Sequence, residues 1–228
     1  MRKRSFEKEL MDLGQYSDAD FERNLRELEY TNRFLGGHRA TLWAFKKFIK
    51  RQNQRSLKIA DIGCGGGDTL WALAKYCQKK GIQAEFYGID YNTVGVAYAQ
   101  KKLSGFENVH FIHSDYRHVE EDFDLILCSL FTHHLNDEQL EEYLIWNKNK
   151  AKKGFIINDL ERNRLAYASI RLLCFLLPVS YLYAHDAPLS VRRSFKKKDW
   201  RSWGHKLNMH LEIKWHWAFR ISVCWQKK

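Results

Sequence analysis

Lys58-Ile-Ala-Asp-Ile-Gly-Cys-Gly-Gly-Gly-Asp-Thr-Leu-Trp-Ala-Leu-Ala74 is the stretch of this 228-residue sequence that decides its fold. Its first five residues are apolar apart from Lys58 and Asp61 and predict a short buried strand. A glycine-rich run follows, and from Asp68 onward apolar residues recur at helical spacing. Strand, glycine turn and helix open a nucleotide-binding βαβ unit, because glycines let the backbone approach a ligand closely.

The spacing of the glycines argues against a dinucleotide site. The fingerprint G-x-G-x-x-G would place its third glycine at position 68, where the sequence has Asp68. A carboxylate caps a helix well, but it would compete with a pyrophosphate for the same N–H groups. An adenosyl ligand without phosphate, such as S-adenosylmethionine, fits this turn better.

The sequence here resembles the class I S-adenosylmethionine-dependent methyltransferases, whose first motif is acid-x-Gly-x-Gly-x-Gly. Asp61-Ile-Gly63-Cys64-Gly65-Gly-Gly67 matches this motif in full. The resemblance covers about residues 55–228 and implies an α/β fold, a Rossmann-like seven-stranded methyltransferase sheet with an antiparallel last strand and helices on both faces. It also implies S-adenosyl-L-methionine as the cofactor.

Acidic residues end the next two predicted strands. Asp90 ends strand 84–90, about 20 residues past the glycine turn, where a carboxylate accepts hydrogen bonds from ribose hydroxyls. Asp115 ends strand 109–115, and in the resembled family this position binds adenine. Since ligands bind at the carboxyl ends of parallel strands, these groups are expected to meet. The expected cofactor-binding residues are Asp61, Gly63, Cys64, Gly65, Asp90, Tyr91, Asp115, Tyr116, Cys128 and Arg33.

The loop after the fourth predicted strand, 123–129, holds the candidate catalytic residues His133 and His134. In the resembled family this loop lies beside the transferred methyl group. Imidazole titrates near neutrality, so either histidine is a candidate base for a substrate hydroxyl, although simple packing and capping fit equally well. No metal site is expected, because no acid or third histidine stands at a recognisable ligand spacing.

Helices before the first strand and after the fifth are expected to surround the methyl acceptor. Residues 1–54 are predicted to form an N-terminal helical lid, loose to about residue 17, with helices after Ser17 and after Gly36. Arg33 of this lid is a candidate partner for the ligand's carboxylate, or simply a surface arginine. Residues 55–228 form the methyltransferase domain, in which an insertion at about 160–209 shapes the acceptor pocket. The expected acceptor-binding residues are Phe131, Tyr167, His185 and Arg192.

The resemblance implies a small acceptor, aromatic or lipophilic, with O-methylation favoured over C-methylation. Asn158-Asp-Leu-x-Arg-x-x-Leu-Ala-Tyr167 and His185-Asp-x-Pro-Leu-Ser-Val-Arg-Arg-Ser-Phe195 look like a bacterial subgroup associated with polyketide or aryl-lipid pathways. The alternative is a nucleic-acid methyltransferase, against which no Asn/Asp-Pro-Pro-aromatic motif follows the fourth strand.

The formal charge of +11 is concentrated after Val191. Such a surface attracts nucleic acid, an anionic membrane surface or an acidic carrier protein, although a solvated basic face is an equally good interpretation. The five cysteines show no C-x-x-C pairing and indicate reduced thiols, which is typical of a cytoplasmic protein. The N-terminus lacks the apolar core of a signal peptide.

Overall fold

A seven-stranded sheet forms the centre of the computed structural model, which describes residues 1, 3–51 and 56–227. Its strands are β1 (Ser56–Ile62), β2 (Gln83–Asp90), β3 (Val109–His113), β4 (Phe123–Ser129), β5 (Ala151–Leu160), β6 (Glu212–His216) and β7 (Arg220–Gln226). The order is β3-β2-β1-β4-β5-β7-β6, with the first five strands parallel and β7 antiparallel to both of its neighbours. The predicted methyltransferase sheet with its antiparallel last strand is confirmed.

Helices cover both faces of this sheet, as expected. The helices are α1 (Leu10–Leu13), α2 (Asp18–Phe34), α3 (Gly37–Ile49), α4 (Asp68–Lys80), α5 (Thr93–Lys102), α6 (Asp137–Lys150), α7 (Arg164–Leu176), α8 (Tyr181–Arg193) and α9 (Lys197–Lys206). Alternate residues of β4 explain the two layers: Leu125 and Leu127 pack with α3 and α4, whereas Ile126 packs with α6 and α9. None of the helices in the described ranges combines the length and apolar character of a membrane span.

The break between α2 and α3 is fixed by Gly36. Its φ of +83° is a left-handed conformation, and a Cβ placed there would lie 2.0 Å from the backbone oxygen of Trp217. The β6–β7 turn therefore packs directly against this break. Ser17 accepts a hydrogen bond from the Asp20 N–H and begins α2, as the sequence predicts.

The segment before α2 is predicted to be loose, but in the structure it is bound to α8. The N–H groups of Leu10 and Met11 donate to the two carboxylate oxygens of Asp186 in α8, at 2.8 and 3.0 Å. Glu9 is buried and accepts a hydrogen bond from the Ser190 hydroxyl. Polar residues that predict a solvated segment are instead satisfied by polar partners on α8, which the local sequence does not reveal.

Candidate active site

The glycine turn between β1 and α4 is tied to the end of β2 by Asp90. Gly63 and Gly65 have φ values of +66° and +49°, and a Cβ at Gly63 would lie 2.5 Å from the ring of Phe131. Asp90 accepts the Gly65 N–H at 2.8 Å with one oxygen and the Asn92 N–H at 2.9 Å with the other. Burial raises the pKa of Asp90.

A cavity of about 140 Å³ lies over this turn, and we call it the glycine-turn cavity. Among the expected cofactor residues it is lined by Gly63, Cys64, Gly65, Asp90 and Tyr91. Its other walls come from α2, from Met11 and Asp12 of the N-terminal segment, and from the segment after β4. The carboxyl ends of β1, β2 and β4 therefore contribute to one site, as the parallel arrangement predicts.

Asp61 lies beneath the turn rather than in the cavity wall. It is 1% exposed, and its Oδ1 atom has no hydrogen-bond partner among the described residues. Burial, together with the charges of Asp68 and Asp90, raises the pKa of Asp61 well above its usual value. Asp68 is better satisfied, because His38 and Asn32 bond its Oδ2 at 2.7 and 2.9 Å.

Besides Asp61, four expected cofactor residues do not line this cavity. Asp115 forms a two-armed ion pair with Arg117, at 2.6 and 3.0 Å. Tyr116 packs edge-on against Phe131, and Cys128 is buried in the sheet core. Arg33 is exposed, with its guanidinium over the ring of Phe34.

His133 follows β4 in a short 3-10 turn, Thr132–His134, and is buried. Its Nδ1 lies 2.7 Å from Asp159 Oδ1, while Thr132 donates its hydroxyl to Asp159 Oδ2 at 2.6 Å. Burial alone would raise the pKa of Asp159, but the charge and hydrogen bond of His133 hold it well below its usual range. Asp159 thus fixes the orientation of this imidazole.

His134 is held in the same way by the N-terminal segment. Its Nδ1 lies 2.8 Å from Asp12 Oδ1, and the other oxygen of Asp12 accepts Arg193 at 2.8 Å. Burial lowers the pKa of His134, but the charge of Glu9 and the Asp12 hydrogen bond outweigh it and raise the pKa to about 9.

A second cavity, of about 240 Å³, lies among α2, α7, α8 and the β6–β7 turn, and we call it the helical cavity. It is lined by apolar residues such as Leu28, Ile170, Leu173 and Val191, and by the polar residues Glu9, Thr31, His133, His134, Ser169, Tyr183, Ser190 and Arg220. Met11, Leu28, Leu130 and His134 line both cavities. The two cavities therefore share a wall.

None of the four expected acceptor-binding residues is among those that line the helical cavity. Phe131 lines the glycine-turn cavity. Tyr167, His185 and Arg192 do not line the helical cavity: Tyr167 packs beside it, His185 bonds to Asp186, and Arg192 pairs with Glu7. Residues on one helix point in different directions, and the spacing within this segment did not reveal which ones face inward.

Arg220 and Glu9 are cavity residues that the sequence did not reveal. Arg220 belongs to the basic C-terminal part of the chain, yet it is 1% exposed. One of its nitrogens donates to Asn32 Oδ1 at 2.9 Å, while Nε and Nη1 have no partner within the described part of the chain. Its position at the start of β7, beside a tight turn, gave no signal of burial.

The strand order, the antiparallel β7 and a glycine turn bound to an acid at the end of β2 together define a class I S-adenosylmethionine-dependent methyltransferase. A family model described as a methyltransferase domain matches residues 53–209. The chain therefore belongs to that methyltransferase family, and S-adenosyl-L-methionine is its cofactor.

Solved structures of methyltransferases share this fold. The plantazolicin methyltransferase BpumL, in complex with a monoazolic desmethylPZN analog and SAH, has a TM-score of 0.68 and 16% identity over 89% of this chain and 88% of that one. A SAM-dependent methyltransferase from Aquifex aeolicus has a TM-score of 0.65 and 16% identity over 93% and 99%. Magnesium protoporphyrin IX methyltransferase from Synechocystis PCC 6803 with bound SAM has a TM-score of 0.63 and 15% identity over 95% and 94%. At these identities the likeness concerns the fold alone.

Proposed function

We propose that the enzyme transfers a methyl group to an oxygen atom of a small aromatic or lipophilic acceptor that lies in the helical cavity. The observation that carries this proposal is the wall shared by the two cavities. A cofactor bound over the glycine turn and an acceptor among the helices would meet at Leu130 and His134. Holding two reactants in contact contributes much of the rate in such reactions.

The glycine-turn cavity fits S-adenosylmethionine, which supplies an electrophilic methyl group on a positively charged sulfur. Asp90 is placed to accept hydrogen bonds from ribose hydroxyls, because it stands at the end of β2 beside the turn. Gly63 and Gly65 of the turn line the cavity beside Asp90. The carboxylate of Asp68 also lines this cavity, and it would compete with a pyrophosphate for the N–H groups of the turn.

His133 and His134 are the two imidazoles that face the methyl acceptor at the wall of the helical cavity. Each imidazole has its Nδ1 bound to a carboxylate, which leaves its Nε2 on the side of Glu9 at the cavity wall. His133, held in this way, can accept a proton from a hydroxyl of the acceptor, and such general-base assistance typically contributes about 10²–10⁴ in rate. His134, whose pKa is raised to about 9, is protonated at neutral pH and is placed to donate a hydrogen bond to the acceptor instead. Asp159 and Asp12 act as positioning residues for the two rings.

The buried Arg220 favours a methyl acceptor that has a carbonyl or carboxylate group. A buried guanidinium with two unpaired nitrogens is costly unless a ligand satisfies it. Because guanidinium binds carbonyl and carboxylate oxygens well, the acceptor is expected to place such a group against Arg220. The apolar remainder of the lining favours a hydrocarbon or aromatic body.

The outer surface of α7 supports a lipophilic acceptor that is delivered from an anionic membrane surface. Leu165, Leu172, Phe175 and Leu176 are exposed by 58–85%. Arg164 and Arg171 are exposed on the same helix, and Ser169 is both exposed and part of the cavity lining. Apolar groups beside basic ones are typical of surfaces that bind membrane interfaces.

The burial of C-terminal aromatic and basic residues counts against a nucleic-acid substrate. Trp200 is completely buried, and Trp215 donates to Glu161. Arg193 and Arg220 are also buried, so the exposed charge after Val191 is smaller than the sequence count. Base stacking needs accessible aromatic faces, and this part of the chain offers few.

Methyl transfer to hydroxylated lipids tests the proposal. Release of S-adenosylhomocysteine would be measured with alkyl phenols and with the matching methyl ethers, which lack the reactive hydroxyl. We expect turnover with the phenols alone, and His133→Ala should reduce it at least tenfold. Equal turnover with phenol and ether would contradict O-methylation, and turnover with an oligonucleotide in their place would contradict the acceptor class.

A further inference from the structure

Glu9, His133 and His134 come from two distant parts of the chain and meet at the wall of the helical cavity. One ligand atom from each lies within 4.8 Å of the other two. Glu9 is 1% exposed and His133 2% exposed. We propose that this cluster binds one divalent transition-metal ion, with Zn²⁺, Fe²⁺ or Mn²⁺ as the class, through two imidazole nitrogens and one carboxylate oxygen.

The gaps from Glu9 to the two histidines are close to the spacing between two ligands of one ion. Glu9 Oε1 lies 3.6 Å from His133 Nε2, and Glu9 Oε2 lies 3.8 Å from His134 Nε2. Direct hydrogen bonds between such atoms would span about 2.7–3.2 Å, so neither pair is bonded directly. Ligands placed about 2.0–2.1 Å from a tetrahedral zinc are separated by about 3.4 Å, which is close to the observed gaps.

The outer carboxylates are an independent observation that favours a metal. Asp159 Oδ1 lies 2.7 Å from His133 Nδ1, and Asp12 Oδ1 lies 2.8 Å from His134 Nδ1. A histidine that binds a metal almost always donates its other ring N–H to a carboxylate, a carbonyl or water. Here two carboxylates hold the Nδ1 protons, so each Nε2 points away from its carboxylate and can bind the same ion once it gives up its proton.

The charges of the cluster also favour a cation. Glu9, Asp12 and Asp159 are three buried or half-buried acids. Among the described residues, Arg193 is the guanidinium that pairs with this group, at 2.8 Å from Asp12 and 3.8 Å from Glu9. A divalent ion displaces any proton held at Nε2 of either histidine and places its own positive charge beside these acids.

Such a site would act on the acceptor, and this role rests on the proposed function. Three protein ligands leave coordination positions open, as in catalytic rather than structural metal sites. Because Glu9 and both histidines line the helical cavity, an oxygen of the acceptor can fill an open position and be fixed near the shared wall. In the metal-bound form the imidazoles hold the ion and do not serve as bases. Nitrogen donors disfavour Mg²⁺, which prefers oxygen ligands.

Metal titration of the full-length protein without a histidine tag tests the site. Chelator-treated protein would be titrated with ZnCl₂ by calorimetry and with CoCl₂ by visible absorption, with MgCl₂ for comparison. We expect one Zn²⁺ per chain, a Co²⁺ ligand-field band, and no matching Mg²⁺ binding. Glu9→Gln and His133→Asn should weaken zinc binding at least tenfold, and Asp159→Asn about 10–100-fold. His110→Asn, which changes an exposed histidine outside the cluster, should bind as the wild type does.

Zinc X-ray absorption on the loaded wild-type protein decides the question even where a variant does not fold. Two imidazole nitrogens with carboxylate oxygen would support the site, whereas sulfur ligation or an all-oxygen shell would overturn it. Failure of the wild type to bind zinc, or unchanged binding by a folded Glu9→Gln variant, would overturn it as well. Undiminished methyl transfer by metal-free protein would overturn the metal's role and leave the proposed function standing.

Discussion

Asp90 is the residue on which cofactor binding depends most directly. Its two oxygens hold the N–H groups of Gly65 and Asn92, so the same carboxylate that shapes the turn faces the cavity. Replacing Asp90 would remove the hydrogen bonds that shape the turn and also the carboxylate that accepts hydrogen bonds from ribose hydroxyls.

Asp90→Ala is therefore expected to weaken S-adenosylmethionine binding at least tenfold, measured by calorimetry. Glu107→Ala, which removes an exposed acid elsewhere, is the matched control and should bind normally. Equal affinity in the two variants would contradict the assignment of Asp90.

Arg220 permits a prediction that separates stability from function. Burial lowers the pKa of Arg220, which reflects the cost of holding its charge away from water. Arg220→Met keeps the length and removes the charge, so the melting temperature should not fall, while KM for the acceptor rises at least tenfold. Arg201→Met on the exposed face of α9 should change neither quantity. A lower melting temperature with an unchanged KM would show that Arg220 is structural.

At the scale of elements, the α2–α3 break determines how the helices before β1 pack against the β6–β7 turn. Gly36→Ala would combine a left-handed φ with a contact of 2.0 Å to a backbone oxygen. We expect a loss of about 3 kcal/mol in the free energy of unfolding, measured by urea titration. Gly81→Ala has the same kind of φ, +64°, but no atom within 4 Å, and should cost about 1 kcal/mol. Equal losses would mean that the contact with Trp217 is unimportant.

The elements nearest the glycine turn were predictable because their signals are local. The helix that begins at Asp68 and strand 123–129 are observed where the sequence predicts them, since apolar periodicity and glycines mark them in the chain itself. The site was predictable only in part. Glu9 and His133 lie 124 positions apart in the sequence (133 minus 9), and no local pattern reports such a pairing. Asp61 and Cys64 follow from the motif and Asp90 from the end of strand 84–90, but the inward residues of α7 and α8 depend on how those helices rotate in the packed protein.

For the molecule as a whole, the exposed apolar face of α7 predicts that the enzyme takes its acceptor from an anionic membrane surface. Leu172→Ser with Phe175→Ser should reduce sedimentation with phosphatidylglycerol vesicles several-fold, because about 0.8 kcal/mol is lost for each CH₂ withdrawn from the interface. Ile145→Ser on α6, which removes an exposed apolar residue elsewhere, is the control. Binding to neutral vesicles that equals binding to anionic ones would contradict a role for Arg164 and Arg171.

The central claim is that cofactor and acceptor meet at the wall shared by the two cavities. A crystal structure of the protein with S-adenosylhomocysteine tests it most directly. We expect the ribose hydroxyls on Asp90 and the sulfur atom against Leu130 and His134, facing the helical cavity. A sulfur atom that points away from this wall, with the ribose remote from Asp90, would contradict the account.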